Sequence, residues 1–170
     1  MRAAALALAL LLPGAALAEA PYDGYARAVG PCYDGAEDEP MARACIGRAA
    51  RACIQGAPDG ETTVGMMFCL LAERDAWDEI LNAEYARARA AARTADQADR
   101  GASPQTAVRG DLLLDAQRAW IAFRDANCAS AYAVYGAGSM RQIAGAECQM
   151  RMTADRTIEL RALRQSLGDR

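Results

Sequence analysis

The main residues that could do chemistry here are six cysteines, and the chain has no histidine. Histidine is the commonest general base and metal ligand, and its absence leaves Ser130 and Ser139 without an activating partner. The acids Glu73, Asp78 and Glu79 share one predicted helix, but paired catalytic acids also need a cleft that raises a pKa. We therefore expect no enzyme activity, no catalytic residues and no cofactor.

The six cysteines indicate disulfides rather than a metal site. No Cys-x-x-Cys pair occurs, so a zinc site is not expected. An even number of cysteines in an exported chain is typical of a disulfide framework. The cysteines are Cys32, Cys45, Cys53, Cys69, Cys128 and Cys148.

The amino terminus predicts export. Arg2 precedes the apolar run Ala3–Leu12, and Ala16-Leu17-Ala18 supplies small residues for cleavage after a signal peptide of residues 1–18. Ala18-Glu19-Ala20 is an alternative cleavage site. The run is too short for a permanent membrane helix, and no later stretch is apolar enough to span a bilayer. The predicted location is the periplasm or the exterior.

Cleavage would remove Arg2 and change the formal net charge from −3 to −4. This mild acidity makes nucleic acid an unexpected partner and agrees with a basic protein partner. Every cationic side chain is arginine. The sequence predicts no oligomeric state.

Helical periodicity without strand-like alternation predicts an all-α fold, an antiparallel bundle of three main helices. Residues 19–61 form an extension with one short helix from Pro40 to about Gln55, and residues 62–170 form the helical domain. The long helices are expected at Thr63–Gln97, Pro104–Tyr135 and Met140 or Gln142 to Leu167. Each long helix has a predicted inner stripe. On the first it is Met66, Leu70, Trp77, Leu81 and Ala88, and on the second it is Leu112, Ala116, Ala119 or Trp120, Phe123 and Asn127. On the third it is Thr153, Arg156, Leu160, Leu163 and Leu167.

This topology places Cys53, Cys69, Cys128 and Cys148 at one end of the bundle. The pairing we expect is Cys53–Cys128 and Cys69–Cys148, with Cys32–Cys45 in the extension. Cys69–Cys128 is an alternative.

Several motifs occur once each along the chain, in a fixed order. They are Cys69-x7-Trp77-Asp78-x2-Leu81-Asn82-x2-Tyr85, Gln117-Arg118-Ala119-Trp120-Ile121-x-Phe123-Arg124-Asp125-Ala126-x-Cys128, Gly138-Ser139, Cys148-Gln149 and Thr153-x2-Arg156-x3-Leu160. Together they resemble the LprI-type lysozyme-inhibitor domain family of exported, disulfide-bonded helical proteins, from about residue 53 to residue 167. The segment 19–52 is an addition to that pattern. The first cysteine after the predicted signal peptide is Cys32, so we do not expect the lipid anchor of the family's named member.

The resemblance implies a periplasmic protein that binds lysozyme and protects peptidoglycan. The alternative is a structural or envelope-stress module that binds another envelope protein and has no activity on lysozyme. Trp77, Leu81, Trp120, Phe123 and Leu160 are predicted to be core. The structural motif residues are Trp77, Asp78, Asn82, Tyr85, Gln117, Trp120, Arg124, Asp125 and Arg156.

Charged residues beside a helix seam must be paired. We expect Asp78 or Asp125 to hold Arg124 or Arg156 in a bidentate contact, with Asn82 and Tyr85 adding hydrogen bonds. The loop between the last two helices is either a binding loop or a plain connection. Its candidate binding residues are Tyr135, Gly138, Ser139 and Met140.

Overall fold

The structure is a computed structural model that describes residues 21–168. The predicted signal peptide lies outside the described residues. Helices and turns make up the described chain, and residues 21–168 contain no strand, which confirms the all-α prediction. The helices are α1 (Asp23–Ala26), α2 (Val29–Asp34), α3 (Glu39–Ala44), α4 (Arg48–Gly56), α5 (Thr63–Asp99), α6 (Arg109–Ala133) and α7 (Met140–Gly168).

The three long helices run up, down and up. Contacts pair the middle of α6 with the middle of α7 and the end of α6 with the start of α7, so these two helices are antiparallel. Helices α5 and α7 run parallel and form the most extensive helix pair. Thr62 caps α5, because its hydroxyl accepts a hydrogen bond from the Gly65 amide at 2.9 Å.

The inner face of α5 is the predicted one. Trp77, Leu81 and Ala88 are fully or almost fully buried, and Leu70 is buried beside them. Small residues of the partner helix, such as Ala154, allow α7 to approach closely. The α5 stripe therefore forms the spine of the hydrophobic core.

The predicted inner stripe of α6 is wrong. Leu112 and Phe123 are 61% and 62% exposed, while Leu113, Gln117 and Cys128 are buried. Helix α6 carries apolar residues on more than one side, so periodicity alone does not select the buried face. On the buried side of α6, Gln117 accepts a hydrogen bond from Arg156 of α7, and Cys128 is bonded to Cys148 of α7. Leu163 of the predicted α7 stripe is also exposed, at 38%.

The extension contains more helix than predicted. A left-handed Gly47, with φ of 77°, divides the expected helix into α3 and α4. Asp38 caps α3, and α1 and α2 were not predicted. Val29 and Tyr33 are buried in the same core as Trp77, and the Tyr33 ring meets the Trp77 ring edge-on at 5.6 Å. The extension therefore packs on the bundle around a shared core.

The disulfides correct two expected pairings. Cys32–Cys45 is present as predicted, but the others are Cys53–Cys69 and Cys128–Cys148. Each of these two links one helix to the next along the chain, α4 to α5 and α6 to α7. Because all four cysteines lie at one end of the bundle, helix topology alone could not choose between the pairings.

Candidate functional site

Six of the nine motif residues line a shallow cleft of about 280 Å³ between α5 and α6, whereas Trp77, Asp125 and Arg156 do not line it. Helical spacing explains the convergence, because residues three, four or seven positions apart share one helix face. Helix α5 contributes Asp78, Leu81, Asn82 and Tyr85, and helix α6 contributes Gln117, Trp120, Ile121 and Arg124.

Arg124 is the centre of the polar contacts in this cleft. Its Nε and Nη2 atoms lie 3.0 and 2.9 Å from the same Oδ1 atom of Asp125. Its Nη1 atom lies 4.0 Å from Asp78, whose other carboxylate oxygen accepts a hydrogen bond from Asn82 at 3.1 Å. The expected bidentate pairing is absent, since Arg124 uses one oxygen of each acid.

A second arginine reaches the cleft from α7. Arg156 donates from Nε to Gln117 at 3.0 Å and from Nη1 to Glu159 at 3.1 Å. The guanidinium carbons of Arg124 and Arg156 lie 5.1 and 5.9 Å from the Trp120 ring centroid. Trp120 therefore joins two cations that are also held by acids, and this arrangement connects the three long helices.

Tyr85 does not complete the network as expected. Its hydroxyl is buried and has no hydrogen-bond partner among the described residues, and Arg89 lies 5.7 Å from its ring. Phe123, predicted as core, is exposed. The other predicted core positions behave differently: Trp77, Leu81 and Leu160 are buried and Trp120 is half-buried.

The candidate binding loop lies at the disulfide end of the bundle. Tyr135 and Met140 are 47% and 48% exposed, and Val134 beside them is 76% exposed. Gly136 has a φ of 54°, a left-handed turn that glycine adopts without strain. The Cys128–Cys148 bridge closes the segment that contains the loop. One disulfide therefore links the two helices that flank this loop.

An apolar groove of about 430 Å³ lies close to that bridge, between the long helices. Cys128, Tyr132 and Gly145 contribute to its walls, together with Met67 and Leu71 of α5. The exposed loop and this groove place apolar surface at the same end of the molecule.

The burial of three acids on α5 was not predicted from the sequence. They are Glu73, Glu84 and Asp96, which lie on the same stripe as Trp77 and Ala88. Their helical spacing with the apolar stripe is a signal that could have revealed them. Glu84 accepts hydrogen bonds from Arg87 and Arg164 at 3.0 and 2.9 Å.

Asp96 caps the start of α6. It accepts hydrogen bonds from the Arg109 and Gly110 amides at 3.0 and 2.9 Å, and from the Arg109 side chain at 3.2 Å. Burial favours the neutral carboxyl, but the hydrogen bonds from Gly110 and Arg109 outweigh it and lower the pKa of Asp96. The carboxylate thus joins the carboxyl end of α5 to the amino end of α6.

Chemically, the arrangement suits binding. The cationic motif residues are engaged by neighbouring acids, and the most accessible apolar groups lie on helix faces and in the loop. Within residues 21–168, no three cysteine or acidic side chains converge as metal ligands. Over the same span, none of the helices is both long and apolar enough to cross a bilayer.

The fold and the motif cluster define a disulfide-bonded, all-helical domain whose charged motif residues tie its helices together. The family model described as "Lysozyme inhibitor LprI" matches residues 53–160. The chain therefore belongs to the LprI lysozyme-inhibitor family. No match was found among curated proteins or among solved structures.

Proposed function

We propose that this protein is an exported lysozyme-inhibitor-like binding protein that protects peptidoglycan in the periplasm or at the cell exterior. The observation that carries the proposal is the family match over residues 53–160. The three disulfides support it, because such bonds persist in oxidising compartments.

The distribution of charge supports a basic partner. Residues 19–61 contain eight acidic and four basic side chains, whereas residues 62–170 contain fourteen of each. The whole net charge of −4 after signal cleavage therefore belongs to the extension. An acidic extension on a neutral domain would attract a basic protein such as a c-type lysozyme and raise its association rate.

The proposed contact element is the loop 134–140. Val134, Tyr135 and Met140 are exposed apolar side chains, and aromatic and methionine side chains are enriched at protein interfaces. The Cys128–Cys148 bridge reduces the conformational entropy that the loop would lose on binding. Gly138 and Ser139 would add backbone contacts at the tip.

The test is the lysis of a peptidoglycan suspension by c-type lysozyme in the presence of the disulfide-bonded protein. We expect inhibition that saturates with increasing protein. The double variant Tyr135→Ala/Met140→Ala should need at least about tenfold more protein for the same inhibition. Val108→Ala is the matched control, because Val108 is 42% exposed at the other end of α6.

Two results would contradict this proposal. An unchanged lysis rate at a large excess of protein would show that the protein does not inhibit lysozyme. It would favour the alternative, a structural or envelope-stress module that binds another envelope protein. Equal inhibition by the loop variant and the parent protein would show that the protein inhibits lysozyme through a surface other than the loop.

A further inference from the structure

The outward face of α6 is an apolar stripe that the bundle leaves uncovered. It consists of Leu112, Ala116, Ala119 and Phe123, all of them exposed. Their spacing of four, three and four residues puts them on one face of the helix, as in the seam of a coiled coil. The buried side of α6 uses other positions, including Leu113 and Gln117, so this stripe is free to meet another molecule.

The stripe is symmetric about a point between Gln117 and Arg118. If two copies of α6 meet antiparallel across a two-fold axis at that point, Leu112 faces Phe123 of the partner subunit. Ala116 then faces Ala119 of the partner subunit. Two small residues at the centre allow the helices to approach closely, while the larger residues pack at both ends. A two-fold interface requires a self-complementary surface of this kind.

Charges beside the stripe are complementary to themselves as well. Asp115 and Arg118 are 73% and 71% exposed, and within one chain their closest atoms are 3.7 Å apart. The same two-fold axis brings Asp115 within reach of Arg118 of the partner subunit, and the pair occurs twice. We propose that the α6 stripe is the interface of a dimer of this chain.

The dimer should be weak. The stripe from Leu112 to Phe123 is about 16 Å long at the α-helical rise. An interface built on three turns is smaller than those of permanent dimers, so we expect a dissociation constant on the order of micromolar. The oligomeric state should therefore depend on protein concentration.

Sedimentation velocity of the disulfide-bonded protein, from about 1 to about 500 µM, tests the interface. We expect a shift from monomer to dimer across this range. Phe123→Glu and Leu112→Glu should each weaken association by more than about tenfold. Both side chains are mostly exposed, so the unfolding temperature should barely change. Val134→Glu is the control, since Val134 is 76% exposed but lies at the end of α6, about three turns beyond Phe123 and outside the stretch from Leu112 to Phe123.

Charge reversal separates a two-fold dimer from other association. The single variants Asp115→Arg and Arg118→Asp should each be largely monomeric. In each variant, residues 115 and 118 carry the same charge and would face each other across the axis. Mixing these two variants should restore a dimer containing one copy of each. The double variant Asp115→Arg/Arg118→Asp should also dimerise.

A protein that stays monomeric at the highest concentration would overturn the proposal. Association that Val134→Glu abolishes and Phe123→Glu leaves intact would also overturn it and point to the loop. Failure of the mixed charge variants to pair would exclude this axis. Lysozyme inhibition is a separate measurement, and Phe123→Glu should retain it because the loop is unchanged.

Discussion

The indole N–H of Trp77 donates a hydrogen bond to the carboxylate of Glu73 at 3.0 Å, one turn earlier on α5. The same carboxylate accepts the amides of Gly47 and Ala50, both at 2.6 Å. Glu73 is fully buried, and it satisfies the free N–H groups at the start of α4. One side chain thus joins the central tryptophan to the extension.

Replacing Glu73 by Gln should destabilise the protein by about 2–4 kcal/mol. The amide end of Gln would place an N–H group against a backbone N–H donor, so at least one buried donor would lose its acceptor. Urea unfolding measures the change. Glu79→Gln on the exposed side of α5 is the control, with an expected effect near zero. Equal stability of the two variants would contradict the capping role.

Acid should weaken the α5–α6 junction through Asp96. Its folded-state pKa is lowered, so its contribution to stability is present above the unfolded pKa of about 3.9 and is lost as the pH falls through the folded value. Asp96→Asn should lower the unfolding temperature at pH 7 and flatten the decline of stability at acid pH. Thermal unfolding across the acid range measures both effects.

Asp99→Asn separates helix capping from ion pairing at the same junction. Asp99 contacts Arg109 at 2.6 Å, whereas Asp96 also caps the α6 amides. We expect a smaller loss of stability for Asp99→Asn than for Asp96→Asn. The reverse order would show that the ion pair matters more than the cap.

Peptide mass mapping without reduction should recover Cys32–Cys45, Cys53–Cys69 and Cys128–Cys148. Replacing Cys128 and Cys148 together by Ala should cost about 2–4 kcal/mol and loosen the loop 134–140. Hydrogen exchange would detect faster exchange at the loop amides. A peptide linking Cys69 to Cys148 would contradict the structure.

The orientation of α6 predicts unequal effects of two apolar truncations. Leu113 is 6% exposed, so Leu113→Ala should cost about 2–4 kcal/mol. Phe123→Ala should cost less than about 1 kcal/mol, because Phe123 is 62% exposed. Chemical unfolding of both variants, below the concentration at which copies associate, measures the difference. A larger loss for Phe123→Ala would mean that α6 is rotated.

The sequence by itself determined the helical class, the long helices and the buried face of α5. Trp77, Leu81 and Ala88 recur at helical spacing on one face of α5, and they are buried. The motif residues were also recognisable as a group, and helical periodicity brings Asp78, Asn82 and Tyr85 of α5 to the same cleft as Gln117, Trp120 and Arg124 of α6.

The tertiary structure alone decided the face of α6, the two disulfides at the bundle end and the partners of the charged residues. Helix α6 is apolar on more than one side, so its orientation depends on contacts with the other helices, such as the Gln117–Arg156 hydrogen bond and the Cys128–Cys148 bridge. Four cysteines at one end allow several pairings, and only three-dimensional distances select one. Glu73 and Asp96 are buried because amides of distant segments need acceptors, and that requirement arises only when the chain is folded.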